Sequence, residues 1–89
     1  GDIVGQTNRM LENIDVLLTE ANAGFENVMQ MIVYLRNASH YHVVRDIFKR
    51  RFPDIPKVIV LAPICRSGWW VETECMAVTN AVQTPLAAG

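Results

Sequence analysis

Two glutamates, Glu72 and Glu74, stand two residues apart in the most apolar third of the chain, within the run from Trp69 to Val78. Side chains of a β-strand alternate between its faces. Trp70, Glu72, Glu74 and Met76 therefore share one side, and Trp69, Val71, Thr73, Cys75 and Ala77 the other. Strand residues two apart lie roughly 6–7 Å from each other at their Cα atoms, near enough for the two carboxylates to work against each other's charge. A half-buried glutamate beside a second one is suited to general acid catalysis. Glu72 is the leading catalytic candidate. Glu74 is expected to help it or to form an ion pair at an interface.

Three residues upstream could complete a site. Arg66 lies at the tip of what reads as a β-hairpin with Ser67-Gly68 as its turn, where a guanidinium fork can clamp a carboxylate. Lys57 supplies a second cation. Cys65 shares the Glu72 face if the turn has two residues and pairs Cys65 with Trp70. A three-residue turn, Arg66–Gly68, pairs it with Trp69 and sends the thiol to the other face. No histidine lies nearby in sequence to activate that thiol, so an inert, buried Cys65 is the plainer reading, and Cys75 reads as core. Trp69 and Trp70 point to opposite faces, one under the helices and the other along a pocket or contact.

Other residues read as structural. His40 and His42 open a helix two positions apart, poor spacing for a shared metal, and are expected in solvent. Lys49-Arg50-Arg51 sits at that helix's carboxy terminus, where cations suit the dipole. Met29 and Met31 read as core or interface packing. With two cysteines lacking metal-ligand spacing, no metal and no cofactor are expected.

The 89 residues make one small domain, which buries about 60–65% of the surface its unfolded chain exposes. Yet 51% of the residues are hydrophobic and only 19% charged. A subunit interface would hide that excess, so a homo-oligomer is expected. The net charge of −1 argues against nucleic acid as a partner. No apolar run approaches the roughly 20 residues of a membrane span, so no membrane partner is expected. The setting is read as cytoplasmic and reducing.

The elements that must position these residues follow from periodicity. Met10, Leu11, Ile14, Leu17, Leu18 and Ala21 recur at helical spacing from Thr7, the expected cap, to Gly24, the expected stop. Val28–Leu35 reads as a largely buried strand. Asn37 or Ser39 caps a second helix over residues 40–52, with Tyr41, Val44, Ile47, Phe48 and the stem of Arg51 inward, and Pro53-Asp54-Ile55-Pro56 ends it. Residues 57–65 and 69–78 are the strands of the hairpin, and residues 83–89 a frayed tail. The expected class is α+β, two helices on one face of a mixed or antiparallel three-stranded sheet, with residues 1–80 as the domain and 81–89 as the tail. The other sheet face is left for a partner subunit.

The segments GDIVGQTNRMLENIDVLL, VMQMIVYL, RRFPDIP and VETECMAV together resemble the carboxy-terminal two-thirds of the RidA/YjgF-like family (YjgF/YER057c/UK114 type). The resemblance implies a chorismate-mutase-like α+β subunit, a homotrimer with pockets between subunits, and hydrolysis of reactive enamines and imines. It also implies an amino-terminal strand pair, which this sequence lacks, and a carboxylate-gripping arginine where Lys57 stands. Lysine keeps that charge but loses the bidentate fork. The stretch APICRSGWWVETE is closest to the carboxy-terminal domain of chorismatases. That likeness implies Glu72 as the proton donor to an enol ether, Cys65 as a product-selecting residue and Arg66 beside the substrate, and it leaves open a carboxy-terminal piece of such an enzyme. The overall expectation is a trimer binding a small anionic metabolite between subunits; the alternative is a non-catalytic ligand-binding or structural trimer.

Overall fold

The computed structural model describes residues 2–62, 70–79 and 82–88. The expectations that rest on residues 63–69, including Cys65, Arg66, Trp69 and the Ser67-Gly68 turn, lie outside the described residues.

Helix α1 runs over Ile3–Glu20 and buries Thr7, Met10, Leu11, Ile14 and Leu18 on one stripe. It starts five residues earlier than its apolar pattern suggests. Asp2 is the cap, its Oδ1 accepting the Gly5 amide at 2.6 Å, and a carboxylate there also faces the positive end of the helix dipole. Thr7 is an interior residue whose hydroxyl donates back to the Ile3 carbonyl at 2.7 Å. The helix ends at Glu20, and Asn22 takes the left-handed conformation with φ 57°, the role expected of Gly24. A short 3-10 turn, Phe25–Asn27, leads into strand β1, Val28–Leu35.

After β1, the Asn37 side chain accepts the Ser39 amide at 2.9 Å, and a 3-10 turn, Ala38–His40, passes into helix α2, Tyr41–Arg51. Val44, Ile47 and Phe48 of α2 are buried. Tyr41 and Arg51, expected inward, are exposed. Strands β2 (Lys57–Leu61), β3 (Val71–Thr79) and β4 (Val82–Ala88) complete the sheet in the order β2-β1-β3-β4.

That order overturns the expected hairpin. β2 pairs with β1 in parallel, Met31 opposite Lys57 through Leu35 opposite Leu61. A parallel pair needs a crossover, and α2 is that crossover. β3 pairs with the other edge of β1, antiparallel. The sequence neighbours β2 and β3 are thus separated by β1, the most apolar strand, which forms ladders on both sides. The expected tail is also a strand: β4 pairs antiparallel with β3 from Thr79 opposite Val82 to Thr73 opposite Ala88. Its alternation brings Leu86 and Ala88 onto the core, a pattern masked by its small and polar residues.

Both helices lie on one face of the sheet. Met31, Val33 and Leu35 of β1 and Val71, Thr73, Cys75 and Ala77 of β3 are buried beneath them. The buried Thr73 hydroxyl finds the Met10 sulfur at 3.3 Å, a weak acceptor. Met29 is 59% exposed at a β-bulge between Val28 and Gln30, so only Met31 of the two methionines is core.

Candidate functional site

The strand alternation expected for β3 is what the structure has: Val71, Thr73, Cys75 and Ala77 are buried, while Glu72 and Met76 are half-buried and Glu74 is exposed. Glu72 and Glu74 stand on the sheet face that the helices leave open. The register places Tyr34 directly across from Glu72, and Ile32 across from Glu74. On the other side of β3, Ala87 faces Glu74 and Pro85 faces Met76. Val58 and Val60 of β2 extend the same face through their pairing with Ile32 and Tyr34. A shallow hollow of about 280 Å³ opens here, lined in part by Gln30, Ile32, Glu74, Met76, Pro85 and Ala87. Among the described residues, the open face is thus an apolar surface carrying one acidic cluster.

Tyr34 belongs to that cluster. Partial burial pushes its phenol above the ordinary value, and the charge of Glu74, a hydrogen bond with Glu74 and the charge of Glu72 add to the push. At neutral pH Tyr34 is therefore a fixed proton donor beside the carboxylates. Sequence reasoning passed over Tyr34 because it ends a strand read as buried. The signal was present in its even spacing from Gln30 and Ile32, which sets it opposite the core face.

Lys57 is elsewhere. It pairs with Met31, whose side chain is in the core, so it starts β2 on the helix side of the sheet. Its Nζ donates to the Phe52 carbonyl at 2.6 Å, which caps the end of α2 and also accepts the Ile55 amide at 3.4 Å, and a cation there meets the negative end of the dipole. Within one chain, Glu72 and Lys57 lie on opposite faces and do not meet.

Cys75 is core: it is 2% exposed, and burial pushes its thiol up to about 11. Such a thiol is inert. His40, expected in solvent, is half-buried and packs on Trp70, ring centroids 5.4 Å apart. His42 is exposed against the Tyr41 ring. No group of three or more metal-ligating side chains occurs among the described residues, and among them no helix is long and apolar enough to cross a membrane.

Residues 1–79 match the sequence profile of the family described as Endoribonuclease L-PSP. A RutC family protein of Drosophila melanogaster, UK114, is 30% identical over 82 residues, which is 89% of this chain and 59% of the fly protein. A RutC family protein of Pyrococcus abyssi is 30% identical over 66 residues, 74% of this chain and 52% of the archaeal one. The chain therefore spans less than two thirds of either relative. Among solved structures, a YjgF/YER057c/UK114 family member from Mycobacterium tuberculosis superposes with TM-score 0.78 at 25% identity, covering 85% of this chain and 67% of that one. Escherichia coli TdcF with bound serine superposes with TM-score 0.79 at 18% identity, over 90% and 67% of the two chains. The α+β fold is common to all of them.

Proposed function

The chain belongs to the Endoribonuclease L-PSP family, also named RutC and YjgF/YER057c/UK114 after its members, and on that footing we propose that it works as a homotrimer binding a small anionic metabolite between subunits. The observation that carries this reading is the division of labour across the sheet. The acid group, Glu72 with Glu74 and Tyr34, is on the open face, while Lys57 is on the helix side. A pocket that uses both an acid and a cation from these positions needs two chains. Apolar Val58, Val60, Ile32 and Met76 around the acid cluster give a second copy something to cover. TdcF holds serine, which bears a carboxylate of the kind proposed for the ligand.

In this reading Glu72 donates a proton to an enamine, an imine or a chorismate-type enol ether. Water then adds at the carbon made electrophilic, and the amine or alcohol departs. Glu74 and Tyr34 assist it from the same sheet face, and Arg66, Lys57 and Cys65 bind the substrate, the two cations taking its carboxylate. RNA cleavage is a poorer reading despite the family's descriptive name. The net charge is −1, and an acidic open face repels a phosphodiester backbone. A second reading is a trimer that binds without catalysis. The lysine that stands where the family resemblance implies an arginine lacks the bidentate fork that would orient a substrate, which favours it.

The test is light-scattering mass combined with turnover of freshly generated 2-imino acids and of chorismate. We expect a trimer, and a Glu72→Gln variant slowed by roughly 10²–10⁴-fold, the usual contribution of a general acid. A monomer sinks the intersubunit pocket. A trimer that is stabilised by carboxylate ligands but turns nothing over supports the binding-only reading.

A further inference from the structure

A second hollow lies where β1 ends and β3 begins. It measures about 510 Å³ and its described lining is Arg36, Asn37, Ala38, His40 and Trp70. Neither Glu72 nor Lys57 borders it. The chemistry of this lining is one-sided, because no described residue in it is a carboxylate. Arg36 offers five N–H donors on a planar fork and forms no ion pair with a described residue, the one such pair being Arg45–Asp46 at 3.6 Å. Asn37 spends its side-chain oxygen on the Ser39 amide at 2.9 Å, which leaves its NH₂ group to donate. The Trp70 indole adds an N–H donor. His40 Nδ1 is shut off from solvent and has no hydrogen-bond partner among the described residues. A buried polar atom left so is costly.

The aromatic wall is held in place. The Trp70 amide donates to Gln6 Oε1 at 3.0 Å, and its carbonyl accepts the Arg36 amide at 3.1 Å. Its ring rests on His40 at an interplanar angle of 38°. Helix α1, the end of β1 and the turn before α2 thus converge on one tryptophan, so little ordering remains when a ligand arrives.

From this juxtaposition we infer that the hollow between Arg36, His40 and Trp70 is a binding site for a small planar carboxylate, separate from the intersubunit pocket. The guanidinium of Arg36 pairs with the carboxylate in the bidentate geometry that it favours. The flat remainder of the ligand lies along the Trp70 ring, which His40 backs. A planar ligand fits better than phosphate because the walls flanking the guanidinium are aromatic rings rather than converging amides.

The test uses the full chain carrying Trp69→Phe, which leaves Trp70 as the sole indole of the two tryptophans. Titrating sodium benzoate should quench Trp70 fluorescence saturably, with neutral benzamide binding at least tenfold more weakly. Arg36→Met should weaken benzoate at least tenfold, and Arg50→Met, a cation at the far end of α2, should not. Calorimetry on Trp70→Ala should show benzoate weakened as well. The inference is overturned by the absence of saturable binding, by equal affinity for benzamide, or by an unaffected Arg36→Met. Inorganic phosphate binding as tightly as benzoate, with Trp70→Ala unchanged, would also overturn it by showing a generic anion site. None of these results depends on the oligomeric state or on Glu72, so failure here is distinct from failure of the intersubunit pocket.

Discussion

The two faces of the sheet are built from the same strands but from different chemistry. On the helix face, Met31, Val33, Leu35, Val71, Cys75 and Ala77 are at most 2% exposed and lock against Met10, Leu11, Ile14, Leu18 and Phe48. On the open face, Ile32 and Met76 are half-buried, Val58 is 57% exposed, and Tyr34, Glu72 and Glu74 form an acidic cluster in their midst. One face is finished within a single chain, and the other is left for something else to complete. Substitutions should therefore sort by face, with stability following one and assembly or activity the other.

The sharpest way to break this contrast is to hollow out the helix face. Phe48→Ala removes a ring that is fully buried and should cost about 3–5 kcal/mol, read as a large drop in Tm. On the open face, Val58→Ser should change the stability of the isolated chain by less than about 0.5 kcal/mol while lowering the solution mass toward that of a monomer. If Val58→Ser unfolds the chain as Phe48→Ala does, the contrast between the faces fails.

Alkaline pH sharpens the same comparison. The Cys75 thiol is pushed from an ordinary 9.0 up to about 11 by burial, so the fold favours its neutral form. Below the unfolded value both states hold the proton and stability is unaffected. From about pH 9 to about 11 the unfolded chain ionises first, and stability should fall by about 1.4 kcal/mol per pH unit. Cys75→Ala should remove that slope in pH-dependent urea unfolding. Tyr34, on the open face, is shifted in the same direction.

Smaller effects are expected at the helix ends. Lys57→Met leaves the Phe52 carbonyl with only the longer bond from the Ile55 amide at 3.4 Å and should cost about 1 kcal/mol. Asp2→Ala removes the α1 cap and should cost about 1 kcal/mol. A larger loss of ligand affinity than of stability in Lys57→Met would return that lysine to the binding site.

What the chain disclosed in advance was whatever depended on periodicity. The extent of β1, the inward stripe of α1 and the face occupied by Glu72 and Glu74 all follow from spacings of two or of three and four residues. What it hid depended on partners far away in sequence. Nothing local to Lys57–Leu61 and Val71–Thr79 shows that β1 lies between them, and a gap of nine residues invites a hairpin. The strand Val82–Ala88 was obscured by Pro85, Ala87 and Ala88, which are poor strand formers, although its edge position tolerates a proline. His40 and Trp70 stand 30 positions apart, and only the return of β3 alongside β1 brings them together.

The central place of β1 also has a consequence during synthesis. Both of its edges wait for strands made later: β2 begins after α2, and β3 begins 36 positions beyond Leu35. At about 5–20 residues per second, an eight-residue apolar strand stays without its second partner for about 2–7 s of elongation. Such a segment, rich in β-formers and uncharged from Val28 to Leu35, is a template for pairing with the same segment of a neighbouring nascent chain. Yield at high expression rate, rather than the equilibrium stability of the finished fold, is the property that the position of β1 puts most at risk.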